Sequence, residues 1–219
     1  MSDAVIFDVD GVLVDSYQAH FQSWLDLARE TGLSFSSDEF ATTFGRTSAD
    51  IIATFWPRED LSAAFIEALD RRKEALYREI VSAEFPAMAG AVELIDALKA
   101  AGFRMAVGSS GPPENIDLVL ERLERREAFG AVVTGVDVTR GKPDPQVFQI
   151  AAERLGVPPQ RCAVVEDAPA GIEAAHRANM TAIGFTSTGR TAEDLLAAEL
   201  VVSALKELSP AGIKALIDR

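Results

Sequence analysis

From residue 88 onward the chain alternates short apolar runs with segments of helical periodicity, and few folds accept that pattern. The runs lie at residues 103–107, 131–134, 162–165, 181–185 and 200–202, and an earlier one at 4–7 reads Ala4-Val5-Ile6-Phe7. Each is short enough for a strand and nearly continuous in apolar character, as expected of strands covered on both faces. Between them, Ala91, Val92, Leu94, Ile95 and Leu98 share one helical face, as do Ile116, Val119, Leu120 and Leu123, and Val147, Phe148, Ala151 and Leu155. Strand–helix alternation of this kind predicts an α/β fold built on a doubly wound parallel sheet. Residues 16–87 break the pattern. They show helical spacing (Phe21, Trp24, Leu25, Ala28; then Phe65, Leu69, Leu76, Ile80), with Asp15 or Ser16 placed to cap the first helix. The expected organisation is a core of residues 1–15 and 88–219, interrupted by an all-helical insert at 16–87.

Open parallel sheets bind ligands beyond the carboxyl ends of their strands, so the residues after each strand are the next constraint. After the first strand come Asp8 and Asp10, then Gly11. After the second come Ser109, Ser110 and Gly111; shortly after the third, Gly141-Lys142-Pro143-Asp144-Pro145; after the fourth, Glu166 and Asp167. Side chains two apart in an extended segment point the same way, so Asp8 and Asp10 converge. Converging carboxylates repel unless a cation lies between them or one takes a proton. The pair is therefore a metal site, or a nucleophile beside a general acid/base. With the hydroxyls and the lysine, the set suits Mg²⁺-assisted phosphoryl transfer: carboxylates for a hard cation, hydroxyl and backbone N–H groups for phosphoryl oxygens, and an ammonium for the remaining charge.

Composition narrows the partners. The 219 residues carry 21 basic and 34 acidic side chains, a formal charge of −13, so neither nucleic acid nor an anionic membrane surface is an expected partner. An anionic substrate would be repelled by the global field and must be held by local cations. The single cysteine, Cys162, excludes an intrachain disulfide and a cysteine-based zinc cluster, and reads as a small buried hydrophobe. No apolar stretch approaches membrane-spanning length, and with an aspartate at position 3 and no basic n-region in view a signal peptide is not expected. A cytoplasmic protein is expected, as a monomer or weak homo-oligomer.

The four strand-end motifs, in this order, resemble the haloacid dehalogenase (HAD) superfamily. Asp8-Val9-Asp10-Gly11-Val12 is similar to its first motif, Ser109 to its second, Lys142 to its third and Glu166-Asp167 to its fourth. The stretch from Val165 to Ile172 is also family-like, and the helical insert resembles the cap of the subgroup containing β-phosphoglucomutase and many small-molecule phosphatases. The resemblance implies a Rossmann-like core and a specific division of labour. Asp8 would be the nucleophile, forming an aspartyl-phosphate. Asp10 would protonate the leaving oxygen and later deprotonate the attacking water. Ser109 would bind a phosphoryl oxygen, and Lys142 would balance charge. Mg²⁺ would take the Asp8 carboxylate, the Asp10 carbonyl and Asp167, with Glu166 acting through bound water. Gly11, Ser110 and Gly111 would line the phosphate site. His20 stands where mutase-like relatives carry a functional histidine, and Arg46 is a candidate to grip a substrate anion. Substrate choice is expected to come from the cap.

Plainer readings apply to several of these residues. Ser109 alone would be the N-cap of the helix after Pro112-Pro113, and Glu166 or Asp167 the cap of a helix starting near Pro169. Arg71, Arg72 and Lys73 read as a solvated basic face, His176 as structural, and Trp24 as core packing. Asp10 speaks against a carbon–halogen substrate, since dehalogenases of the family lack that second aspartate. Mutase-like relatives grip a distal phosphate with a serine two positions past the second motif, then a lysine and an asparagine. Here those positions are Gly111, Pro112 and Pro113. The expected function is therefore a phosphatase of a small phosphorylated metabolite, a sugar or polyol phosphate. A β-phosphoglucomutase-like phosphotransferase is the alternative. A receiver-type phospho-acceptor domain ranks lower, because it has no use for a helical cap.

Overall fold

A computed structural model describes residues 2–43, 47–56 and 62–219. The chain divides into two compact units, one of Met1–Asp15 with Ala87–Arg219, the other of Ser16–Pro86.

The first unit is built on a sheet of six strands: β1 (Ala4–Phe7), β2 (Arg104–Gly108), β3 (Ala131–Val133), β4 (Cys162–Glu166), β5 (Thr181–Phe185) and β6 (Leu200–Val202). The order is β3-β2-β1-β4-β5-β6, with every pair parallel. All residues of β1 and β4 are buried, which explains the unbroken apolar runs Ala4–Phe7 and Cys162–Val165 within them. Four helices, α1 (Tyr17–Glu30), α2 (Ser37–Ala41), α3 (Ser48–Phe55) and α4 (Ala63–Ala83), belong to the second unit. Five more, α5 (Ala91–Ala100), α6 (Pro113–Arg122), α7 (Gln146–Leu155), α8 (Pro169–Arg177) and α9 (Pro210–Ile217), belong to the first. The α7 face of Val147, Phe148, Ala151 and Leu155 is buried with Ile6, Ala106 and Val164 from the sheet. At about 25 cal/mol per Å² of apolar surface, each of the larger side chains here (Val, Leu, Ile, Phe) contributes roughly 1.5–3 kcal/mol on burial.

The strand order reverses between β1 and β4, the switch point at which a doubly wound sheet opens a crevice. These two strands pair with Phe7 opposite Val165, and the Asp8 amide donates to the Val165 carbonyl at 3.0 Å. The same register continued by one residue sets Asp8 beside Glu166.

The second unit packs its helices around an aromatic core of Trp24, Phe35, Phe40 and Trp56, joined by Leu27, Ile52, Leu69 and Leu76. Trp24 and Trp56 lie 5.6 Å apart, and the Trp56 indole N–H donates to Thr31 Oγ1 at 2.8 Å. Trp24 is thus packing, as expected. On α1 the buried stripe runs through Trp24, Leu27 and Ala28, leaving Leu25 half-buried. Lys73 corrects the reading of a solvated basic run. It is buried on the stripe of α4 between Leu69 and Leu76, whereas Arg72 is half-buried and pairs with Glu30 and Glu79. Ser16 is the N-cap of α1, without a side-chain capping bond. Among the described residues no helix is long and apolar enough to cross a membrane.

Candidate active site

The β1–β4 switch point carries a buried ionic cluster. Lys142, reaching in from the segment after β3, places Nζ 2.7 Å from Asp8 Oδ1 and 2.7 Å from Glu166 Oε1. Its ammonium also lies 4.9 Å from the centre of the Phe148 ring, a cation–π contact on a residue of the sheet-facing helix α7. The second Glu166 oxygen, Oε2, accepts from the backbone N–H groups of Asp167 (2.7 Å) and Ala168 (3.3 Å). Both Glu166 oxygens are thereby committed, and the side chain is 1% exposed. It fits because α8 passes close with a glycine: a Cβ on Gly171 would fall 1.6 Å from Glu166 Oε1. The N-cap of α8 is Ala168, so neither Glu166 nor Asp167 is that cap residue.

Asp167 completes the group. Asp8, Glu166 and Asp167 each offer a carboxylate oxygen, and these atoms all lie within 4.8 Å of one another. Burial pushes the Asp8 carboxyl well above the usual carboxylate range; the Lys142 ammonium opposes this, while Glu166 and Asp167 add to it. Burial, with Glu166 alongside, pushes Asp167 up to about 7, against the pull of the Ser187 hydroxyl, Arg190 and Lys142. Burial alone would lower Lys142, yet Asp8 and Glu166 hold it above its ordinary value. Burial is the largest influence on each of the three, and in this buried site three carboxyl groups face one ammonium, an excess of acidic groups. An all-oxygen donor set carrying such an excess fits a hard divalent cation, which would relieve the carboxylate repulsion that a proton otherwise must.

Beside this cluster the β2 end supplies hydroxyl and backbone groups. Ser109 is 2% exposed, and its Oγ accepts from the Gly111 N–H at 3.1 Å. It is not a helix cap; Pro112 is the N-cap of α6 and Pro113 opens the helix. A Cβ on Gly111 would lie 3.4 Å from Ser109 Oγ and 3.8 Å from Asp10 Oδ2, so the Asp10 carboxyl shares this corner. Ser110 is exposed, and its carbonyl lies against Gly135 of the β3 loop. Gly11 adopts φ +76°, a conformation that favours glycine, and turns the chain back so that its N–H reaches the Val14 carbonyl at 2.9 Å.

Residues 2–179 match the family described as haloacid dehalogenase-like hydrolase. The chain belongs to this family. HAD-like relatives of this protein include validoxylamine A 7'-phosphate phosphatase from Streptomyces hygroscopicus subsp. limoneus, 31% identical over 95% of this chain and 96% of the relative. β-Phosphoglucomutase from Bacillus subtilis (strain 168) is 33% identical over 94% of this chain and 91% of its own. Among solved structures, β-phosphoglucomutase from Clostridium difficile superposes with a TM-score of 0.86 at 25% identity, covering 100% of this chain and 98% of that one. The α/β fold expected from the strand pattern, with the HAD-like core that the resemblance of the four motifs implied, is the one observed.

Of the expected site residues of this HAD-like hydrolase, Asp8, Lys142, Glu166 and Asp167 meet in one cluster, and Ser109, Gly111 and Asp10 meet in an adjoining corner. His20 belongs to the second unit, where its Nδ1 lies 2.8 Å from Lys73 Nζ and its ring stacks on Tyr77 at 4.2 Å. Arg46 lies outside the described residues. His176 pairs with Glu199 on the surface, in keeping with a structural role. Ser187 escaped the sequence reading. Its Oγ donates to Asp167 Oδ2 at 2.7 Å. The signal was a hydroxyl residue two positions past the β5 run, at the same edge of the sheet as the other motifs.

Proposed function

We propose that this chain is a Mg²⁺-dependent phosphatase acting on a small phosphorylated metabolite, a sugar or polyol phosphate, through an aspartyl-phosphate at Asp8. The observation that carries this reading is the Asp8–Lys142–Glu166–Asp167 cluster at the switch point. A buried carboxylate held by an ammonium, beside two further carboxylates, is built for a reaction at an anionic centre rather than for packing. Relatives named as phosphatases support the phosphoric monoester hydrolase class.

In this reading an Asp8 oxygen attacks phosphorus, and the bond to the leaving oxygen breaks as Asp10 gives that oxygen its proton. Water then attacks the phosphorus of the aspartyl-phosphate; Asp10 takes a proton from it, and the Asp8 carboxylate departs with inorganic phosphate formed. Lys142 offsets the charge shared by Asp8 and the phosphoryl group, and the Ser109 hydroxyl orients a phosphoryl oxygen. Asp8 and Asp167 would hold Mg²⁺, which would supply electrophilic stabilisation of the phosphoryl oxygens. Glu166, whose oxygens are engaged with Lys142 and the backbone, suits an indirect role.

Water is favoured as the final acceptor by Gly111, Pro112 and Pro113, which supply no side chain able to hold a second phosphate. The test is a panel of phosphorylated metabolites assayed for phosphate release with Mg²⁺, with EDTA and with Asp8→Asn. Release should vanish in EDTA and in the variant; survival in either refutes the mechanism. Incubation with β-glucose 1-phosphate and a trace of its 1,6-bisphosphate separates the transferase outcome. Rapid glucose 6-phosphate formation with little free phosphate would replace hydrolysis by mutase chemistry.

A further inference from the structure

We infer that Ser187 is a positioning residue that presets Asp167 for the divalent cation, an inference that rests on the cation site proposed above. Asp167 Oδ2 is held from two sides. The Ser187 hydroxyl donates to it at 2.7 Å, and the bare Cα of Gly11 closes the other side, where a Cβ would come within 2.1 Å of the same oxygen. That Cβ would also lie 3.0 Å from Ser187 Oγ, so residues from the ends of β1, β4 and β5 interlock around one carboxylate oxygen. A carboxylate clamped at one oxygen loses its rotational freedom, and the orientation of its other oxygen is set before any cation arrives.

The clamp itself is tied down by hydrogen bonds on both sides. The Ser187 N–H donates to the Phe185 carbonyl at 2.9 Å, and the Ser187 carbonyl accepts from the Arg190 N–H at 3.0 Å across a turn with Gly189 at φ +84°. The preceding residue is tied to β6 by its N–H, which donates to the Val202 carbonyl at 3.0 Å. Thr188 fixes the flank by donating to Asp15 at 3.0 Å. The hydroxyl is 8% exposed at the residue level and serves no other hydrogen bond among those seen at this loop, so its evident task is Asp167. A hydrogen bond from a hydroxyl to a charged acceptor is among the stronger kinds and is directional, as positioning requires.

The experiment titrates Mg²⁺ calorimetrically, and Mn²⁺ by electron paramagnetic resonance, into the metal-free full chain. Wild type, Ser187→Ala, Ser187→Cys and Asp167→Asn are compared, with circular dichroism as the check on folding. Removing a hydrogen bond to a metal-ligating group typically costs 10–100-fold in affinity. Both Ser187 variants should therefore weaken cation binding about tenfold or more, and raise the Mg²⁺ concentration for half-maximal turnover in parallel. Turnover at saturating Mg²⁺ should stay within about threefold of wild type. The cysteine variant, close in size to serine, covers the case in which the alanine variant fails to fold. Wild-type affinity in either folded Ser187 variant, with Asp167→Asn impaired, overturns the positioning role and leaves the cation site standing. Absence of binding in the wild type overturns the cation site and this inference with it.

Discussion

Replacing Gly171 by alanine sets two physical effects of opposite sign against each other. Gly171 lies in the first half of α8, a helix of nine residues. On helix propensity alone, Gly→Ala in a helix stabilises by about 1 kcal/mol. The packing demands the reverse. The added methyl would fall 1.6 Å from Glu166 Oε1, 2.0 Å from its carboxyl carbon and 2.3 Å from Cγ. No heavy-atom contact survives below about 3 Å, so the Glu166 side chain must leave its pocket. It then forfeits the 2.7 Å pair with Lys142 and strips acceptors from the Asp167 and Ala168 amides. Breaking a buried pair costs about 3–5 kcal/mol, which leaves a net loss of roughly 2–4 kcal/mol after the helical gain. Urea denaturation followed by circular dichroism reads this directly, with phosphate release measured in parallel and expected to fall. A Gly171→Ala protein at least as stable as wild type, with unchanged turnover, would refute the placement of Glu166 against α8 and the role given to its pair with Lys142.

Other perturbations test separate parts of the molecule. Lys142→Met removes the only ammonium contacting Asp8 and Glu166 among the described ion pairs, and should cut phosphate release by at least about a hundredfold while the far-ultraviolet spectrum is kept; activity within tenfold of wild type would exclude a charge-balancing role. Cys162 is fully buried, and burial with Asp3 nearby pushes its thiol up to about 12. The native protein should therefore resist Ellman's reagent at pH 8 for hours and yield one thiol in denaturant. Asp137, which accepts from Arg154 at 2.6 Å and from the Thr134 N–H at 2.8 Å, is held below its ordinary value of 3.8 by these partners, Arg154 foremost. A depressed carboxylate contributes stability above its unfolded value and loses it as pH falls through the folded one. Asp137→Asn should thus be less stable than wild type near neutrality, with the gap closing below about pH 3.8; a gap independent of pH would remove the electrostatic explanation.

How much of this was legible in the sequence follows from which interactions are periodic and which are not. Strands β1, β5 and β6 coincide with their apolar runs, β3 and β4 differ by one residue at one end and β2 by one at each end, because a strand covered by its neighbours writes its length in apolar residues. Glu166 extends β4 past the apolar run because its side chain is satisfied by Lys142 and two backbone amides, which no local pattern announces. Lys73 misled for a related reason. Its neighbours Arg71 and Arg72 are exposed and half-buried, but four residues after Leu69 the helix comes round again to its buried stripe at Lys73, where His20 and Glu74 receive the ammonium. Ser187 was passed over because its partner is twenty positions away, across the β4–β5 crossover, and a serine after a strand is ordinary turn chemistry until Asp167 is seen beside it.

The apolar pattern and the chemistry are one constraint, not two. In a sheet the side-chain period is two, so a slip of one residue between β1 and β4 would exchange every inward and outward group. Phe7 and Val165 are opposite one another and wholly buried, and the Asp8 N–H to Val165 carbonyl bond at 3.0 Å holds that alignment at the strand ends. Given that alignment, the first polar residue after each run, Asp8 and Glu166, must emerge side by side. A slipped register would carry one carboxylate into the apolar layer beneath, away from Lys142, at the several-kcal/mol cost of an unpaired buried charge. The pairing of β1 with β4 thus sets where the carboxylates meet, and the ammonium of Lys142 makes that meeting tolerable. Substitutions that loosen this pair of strands, such as Val165→Ala, should consequently impair the site before they unfold the chain, since the cluster depends on the alignment at the strand ends and the rest of the core does not.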